Sequence, residues 1–353
     1  MALSWTDWPN EILLTLRSGV VIPAHLLALD ANRRLDTRRQ RALTRYYIDA
    51  GAGGLAVGVH STQFAIREVG LYEPVLQAAA TAASNWARRP LVLIAGLVGK
   101  TEQALREAQV ALDLGYHAGL LSLSAFRGAN EDDLIAHCRS VASIIPLVGF
   151  YLQPAVGGIA LSRNFWQRFA EIEQVVAIKI APFCRYKTLD VVQGVVAARA
   201  EDRIALYTGN DDNIVLDLVA PFILRRNGEA VTVRIKGGLL GHWSVWTKGA
   251  VDMFGHIRTA VDRGVVNADI LALAANVTDC NAAFFDVANG FRGCIAGCHE
   301  VLRRQGLFDG IWCLDPEEDL SPGQGAAIDR VMQLYPELGD DEFVASNRER
   351  WLA

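Results

Sequence analysis

Val175-Val176-Ala177-Ile178-Lys179-Ile180-Ala181-Pro182 is a short, β-branched run with one charge inside it. Side chains alternate across a strand, so Val176, Ile178 and Ile180 share one face while Val175, Ala177, Lys179 and Ala181 share the other. The first face suits a covering layer of helices. The second sets a lysine between two alanines, with room around its amine and little water. Runs of the same character lie on both sides: GVVIPAHLLAL from Gly19, GLAVGV from Gly54, LVLIAG from Leu91, AGLLSLS from Ala118, PLVGFY from Pro146, RIALYT from Arg203 and VTVRIKGGLL from Val231. With the lysine segment they make eight, spaced by about 27 to 37 residues, the length of a strand–loop–helix–loop unit. Amphipathic stretches fill the intervals. TRRQRALTRYYIDAG (37–51) and TEQALREAQVALDLG (101–115) each open on a threonine suited to an N-cap and close on a glycine suited to the helix end.

Eight such units predict a (β/α)8 TIM barrel, with an open doubly wound sheet as the runner-up. The first strand–helix junctions carry no G-x-G-x-x-G, and G-x-x-x-x-G-K-[ST] is absent, so dinucleotide and P-loop readings have no support. The eighth unit ends near Gly264, which predicts a barrel over 1–264. The remainder, 265–353, holds three helical patterns, ILALAANVTDCNAAFFDVANG, FRGCIAGCHEVLRRQG and SPGQGAAIDRVMQLYPEL, and reads as a helical extension packed on the barrel.

Lysine and arginine number 34 against 39 aspartates and glutamates, a net charge of −5, so there is no basic excess to neutralise phosphates and nucleic acid is not expected as a partner. The opening MALSWTDWPNEILLTLRSG lacks the basic leader and apolar core of a signal peptide, and no apolar run approaches a membrane span. A cytoplasmic protein acting on a small molecule is the expectation, its six cysteines reduced. Cys294, Cys298 and His299 could be assembled into a metal site, but buried small residues at helical spacing are the better reading.

In a barrel of this kind the chemistry sits at the C-terminal ends of the strands and in the loops that follow. Burial disfavours the charged form of Lys179 and lowers its pKa, which a Schiff-base amine requires; the alternative is a strand-end lysine that reaches outward or pairs with a carboxylate. In the fifth strand Leu147, Gly149 and Tyr151 share a face. Pointing inward, that face would bring the Tyr151 phenol to the barrel mouth beside Lys179, on a strand about 4.8 Å away, where it could shuttle protons. Otherwise the ring packs and its hydroxyl caps a loop carbonyl. His60, Ser61 and Thr62 after the second strand could hold a carboxylate, or form a turn that caps the next helix. After the seventh strand, Gly209, Asp211 and Asp212 could contact substrate hydroxyls, or the aspartates could cap a helix. Gly237 and Gly238 suggest close approach of a ligand or a neighbouring strand.

These segments resemble the dihydrodipicolinate synthase / N-acetylneuraminate lyase family of Schiff-base aldolases and dehydratases, over about 20–307. Val176-Ala177-Ile178-Lys179 is similar to the family's "(V/I)xG(I/V)K", and Phe150-Tyr151-Leu152-Gln153-Pro154 to its "Y-N-x-P". Asp49-Ala50-Gly51-Ala52-Gly53-Gly54-Leu55, Ile94-Ala95-Gly96 and Gly209-Asn210-Asp211-Asp212 agree more weakly. The resemblance implies a barrel with a C-terminal helical extension, an imine between Lys179 and a 2-oxo acid, Tyr151 as proton carrier, and the acid's carboxylate around Ser61 and Thr62. It implies no metal or organic cofactor, and a homo-oligomer, dimer or tetramer. The departures are specific. The family's "G-T-T-G-E" is here Val59-His60-Ser61-Thr62-Gln63, and either His60-Ser61 or Ser61-Thr62 stands for the two threonines. Val156 occupies the place of the arginine that grips the aldehyde's carboxylate in the synthase branch, which argues against lysine biosynthesis. Ser124-Ala125-Phe126-Arg127 stands in the region of a relay tyrosine.

The resemblance therefore predicts a lyase that joins Lys179 to a 2-oxo acid of the pyruvate type, for aldol cleavage or condensation or for dehydration of a 2-keto-3-deoxy acid. Two other classes compete with it. One is a non-catalytic 2-oxo-acid-binding member of the same fold. The other is a metal-dependent barrel hydrolase using His25, His60 and an aspartate such as Asp211.

Overall fold

The computed structural model describes residues 2–353. Its strands are β1 (Val21–Pro23), β2 (Gly54–Val57), β3 (Val92–Leu97), β4 (Ala118–Leu121), β5 (Leu147–Leu152), β6 (Val175–Ala181), β7 (Ala205–Thr208), β8 (Pro221–Arg226), β9 (Glu229–Arg234) and β10 (Gly237–Leu240). Eight of them form one sheet in the order β1-β10-β7-β6-β5-β4-β3-β2, and every neighbouring pair is parallel. A parallel bridge from Ala24 to Ala56, with the His25 N–H donating to the Ala56 carbonyl at 2.8 Å, joins the two ends and closes the barrel. This is the TIM barrel that the eight-fold rhythm predicts. Helices lie between successive strands, and the barrel wall separates two apolar layers, as alternation requires. Ile22, Ile94, Leu120, Val148 and Leu239 fill the interior, while Leu55, Leu93, Ile178, Ile180 and Leu206 meet the helices. The helix Asn10–Ser18 seals the N-terminal end: Ile12 and Leu16 join the interior cluster, and the Leu16 carbonyl accepts from the Tyr207 hydroxyl at 2.7 Å.

Two local expectations are corrected. The run read as one strand from Val231 is two elements. Its first half pairs with β8 in an antiparallel hairpin outside the barrel, and only Gly237–Leu240 is a barrel strand. The cause is the turn Asn227-Gly228, both residues at positive φ (53° and 86°), the geometry of a type I′ hairpin. The helix caps also shift by one residue. Asp36, not Thr37, caps the helix Thr37–Ala50 through the Arg39 N–H at 3.0 Å, and Lys100 precedes the helix Thr101–Asp113.

After Gly264 the chain runs through the helices Ala268–Phe284, Cys294–Arg304, Gln324–Leu334 and Asp341–Leu352. They pack on the barrel's helical layer and across its mouth. Trp351 is fully buried and donates to Asp49 at 2.6 Å, and the Tyr46 hydroxyl donates to Asp340 at 2.6 Å. No helix among the described residues is long and apolar enough to cross a membrane.

Candidate active site

Lys179 faces the barrel interior. In register it stands between Phe150 on β5 and Tyr207 on β7. Its amine lies 4.7 Å from the centre of the Phe150 ring, a cation–π distance, and the residue is 8% exposed. Room for the lysine stem comes from the next strand's loop: a Cβ on Gly209 would sit 2.7 Å from the Lys179 Cε and 2.8 Å from the Ala181 Cβ. Any side chain at Gly209 would displace the lysine. Burial lowers the pKa of the amine, and the charge of Asp211 opposes that only in part.

Asp211 is buried on the loop after β7, and its Oδ1 accepts the His242 N–H at 3.2 Å. Burial raises its pKa; the Lys179 ammonium and the His242 N–H pull it back. The loop is held by a polar knot beneath it. Asn210 donates to Asp217 at 2.9 Å and to Thr188 at 3.2 Å, Thr208 donates to Asp217 at 2.7 Å, and Arg185 pairs with the same carboxylate. Asp212 is exposed, and its backbone carbonyl accepts from the Thr278 hydroxyl at 3.1 Å.

The loop after β2 divides its three candidates. His60 and Ser61 line the cavity in front of Lys179, whereas Thr62 turns inward. Its hydroxyl donates to the His25 carbonyl at 2.6 Å and accepts the Gly58 and Val59 N–H groups at 3.0 and 3.2 Å, so it builds the turn rather than facing a ligand. Burial lowers the His60 imidazole to about 4, and the Lys179 charge pushes the same way, leaving a neutral ring at pH 7. A buried ion pair anchors the loop from behind. Arg67 meets Glu107 at 2.9 Å and donates to the Gly96 carbonyl at 2.9 Å.

Tyr151 is corrected. It faces the helical layer, its ring 5.3 Å from Trp166, its hydroxyl donating to the Leu161 carbonyl at 3.1 Å and accepting the Leu161 N–H at 3.2 Å. The inward residues of β5 are Val148, Phe150 and Leu152. The ring that meets the amine is therefore Phe150's, which carries no proton to give. Gly237 and Gly238 serve close approach within the protein: added Cβ atoms would strike the Val20 backbone and Trp243.

A cavity of about 50 Å³ lies at the C-terminal end of the barrel, lined by Lys179, His60, Ser61, Leu26, Phe150 and Leu152 from below. Its ceiling is Phe285, Cys294, Ile295 and Cys298, from the chain beyond the barrel. Those ceiling residues were not foreseen as part of the site. The one signal for them was the four-residue interval of Cys294 and Cys298, which sets both on one helix face. Burial pushes both thiols up, so they are neutral. His299 is buried beside Phe308, its Nδ1 3.3 Å from the Ile311 carbonyl. His25 is bonded to the Leu26 carbonyl at 2.8 Å and to Thr44 at 2.9 Å. Among the described residues no three histidines, cysteines or carboxylates gather as a metal-ligating group.

Comparison with known proteins shows the family and the fold. The model of the dihydrodipicolinate synthetase family matches residues 17–220. The chain is 28% identical to the 4-hydroxy-tetrahydrodipicolinate synthase of Desulforudis audaxviator over 214 residues, 59% of this chain and 68% of that protein. It is 21% identical to the N-acetylneuraminate lyase 2 of Escherichia coli O6:H1 over 324 residues, 91% of this chain and 94% of that one. Among solved structures, the dihydrodipicolinate synthase of Oceanobacillus iheyensis superposes with a TM-score of 0.73 at 14% identity, covering 92% of this chain and 98% of that one. CdNal of Clostridium difficile, in complex with mannosamine, superposes with a TM-score of 0.70 at 15% identity, covering 90% and 99%. The chain belongs to the dihydrodipicolinate synthetase family and is, with that family, a lyase on a (β/α)8 barrel.

Proposed function

We propose that this lyase joins Lys179 to a 2-oxo acid of the pyruvate type as a Schiff base, and makes or breaks a carbon–carbon or carbon–oxygen bond beside it. The observation that carries the reading is the buried amine of Lys179, lowered in pKa and facing a small cavity at the C-terminal end of the barrel. The neutral amine attacks the keto carbon, water leaves, and the protonated imine draws electrons from C3. His60 and Ser61 hold the acid's carboxylate. Proton transfer falls to Asp211, buried on the loop whose Gly209 packs against the lysine stem; its raised pKa, opposed by the Lys179 charge, suits it to exchange a proton near neutrality. Tyr151 is left out of this scheme, because its hydroxyl is committed to Leu161. The imine is the electron sink, so the scheme needs no metal or organic cofactor. The wider reading is of a cytoplasmic homo-oligomer outside lysine biosynthesis, the latter because Val156 offers no charge to a second carboxylate.

Borohydride reduction with pyruvate and a panel of 2-oxo acids, followed by peptide mass mapping, tests the scheme. An adduct on Lys179 is expected. No adduct with any acid, or an adduct on a different lysine, refutes it.

A further inference from the structure

We infer that the carbonyl partner of the imine is a short aliphatic aldehyde, neither polyhydroxylated nor carboxylated. This rests on the Schiff-base reading above and adds the identity of the second substrate. Size and chemistry of the cavity point the same way. Its volume of about 50 Å³ corresponds to roughly three to five waters at ~10–15 Å³ each, so donor and partner together must be small. The polar groups at the site are already engaged in that scheme: Lys179 by the keto carbon, His60 and Ser61 by the carboxylate, Asp211 by the moving proton. What remains to touch a partner is apolar: Leu152 on one side, Phe285, Ile295 and Cys298 above. Val156, on the turn after β5, packs into the interior cluster.

The step balances without a further reagent. The imine loses a C3 proton to become the enamine. C3 attacks the aldehyde carbon, the C3–C4 bond forms, and the aldehyde oxygen takes up a proton. Water then releases a 4-hydroxy-2-oxo acid and the free amine of Lys179. The new hydroxyl forms on C4, while the rest of the aldehyde lies on the apolar ceiling. A hydroxyl further along that chain would lose its water and meet no partner, which an apolar pocket rejects by roughly 10²-fold. A carboxylate would be rejected more strongly.

The test uses the full chain with pyruvate as donor and acetaldehyde, propionaldehyde, glyceraldehyde and succinic semialdehyde as acceptors, with products followed by NMR. Pyruvate trapping on Lys179 is run alongside. Expected are aldol products from the first two aldehydes, with kcat/KM for propionaldehyde at least tenfold above glyceraldehyde. In Cys298→Ser, which puts a hydroxyl in the ceiling, that ratio should fall about tenfold; taking the ratio cancels the intrinsic reactivities. Trapping with glyceraldehyde or succinic semialdehyde preferred, with no aldehyde consumed, or with a ratio unmoved by Cys298→Ser, overturns this inference and leaves the Schiff base standing. Failure of trapping with every acid overturns the Schiff-base reading itself.

Discussion

β5 and β6 run side by side, paired Phe150 to Lys179 and Tyr151 to Ile180, yet they present opposite chemistry to the barrel. β6 turns its one charge inward with Val176, Ala177 and Ala181, and Val175, Ile178 and Ile180 outward, so Val175 and Val176 exchange the faces that strict alternation gave them. β5 turns its phenol outward, onto Trp166 and the backbone of Leu161, and aims a phenyl at the amine. The register shift between Leu147 and Val148 lies where the strands begin to pair: Leu147 opposes Val175, but Val148 opposes Ala177. A single extra residue in one strand exchanges the faces that follow relative to its neighbour. Lys179 and Tyr151, each sitting on a plausible inward face when its own strand is read alone, thus end on opposite sides of the wall.

Four substitutions probe this contrast, in order of falling effect. Lys179→Ala should abolish adduct formation with every 2-oxo acid; borohydride trapping that persists would return the charge of β6 to a structural role. Asp211→Asn should lower kcat by roughly 10²–10⁴ if the carboxyl replaces the missing phenol. Because the Asp211 charge raises the amine's pKa, its removal should also move the trapping rate's pH midpoint further below the ~10.4 of an ordinary lysine. The sign follows from chemistry: the neutral amine reacts, so a lower pKa leaves more of it at pH 7. Gly209→Ala should slow trapping by about 10²-fold by pushing the lysine stem aside, a displacement on the scale at which alignment is lost. Tyr151→Phe should leave kcat within about threefold, since the phenol is outside the cavity. It should cost roughly 1–3 kcal/mol in a urea melt, since the N–H and carbonyl of Leu161 both lose a buried partner. A large loss of kcat with unchanged stability would put the phenol back in the mechanism.

The barrel was legible because its period is long and repeated, and Lys179 because a charge stands out against alanine and valine. The register across strands was not, since alternation fixes which residues share a face and says nothing about which face points in. The hairpin hid for a related reason. Val231, Val233 and Ile235 alternate smoothly into Lys236 and β10, and only the Asn227-Gly228 turn marks that the first part pairs elsewhere. Thr62 and Ser61 were indistinguishable as hydroxyls; the turn that consumes one and leaves the other facing Lys179 depends on the His25 carbonyl, brought in from another strand. The ceiling was least legible. Phe285, Ile295 and Cys298 look like ordinary helix-packing residues until the tail is laid across the mouth.

That ceiling also has a place in time. Domains form as units while the chain emerges, N-terminal parts first. Lys179 and every strand of the barrel leave the ribosome before Cys294 does, so the whole wall of the barrel is made before its ceiling. The helix Cys294–Arg304 supplies Cys294, Ile295 and Cys298 to the cavity, so the cavity is complete only once that helix has docked. The last quarter of the chain thus finishes a cavity that the barrel only begins.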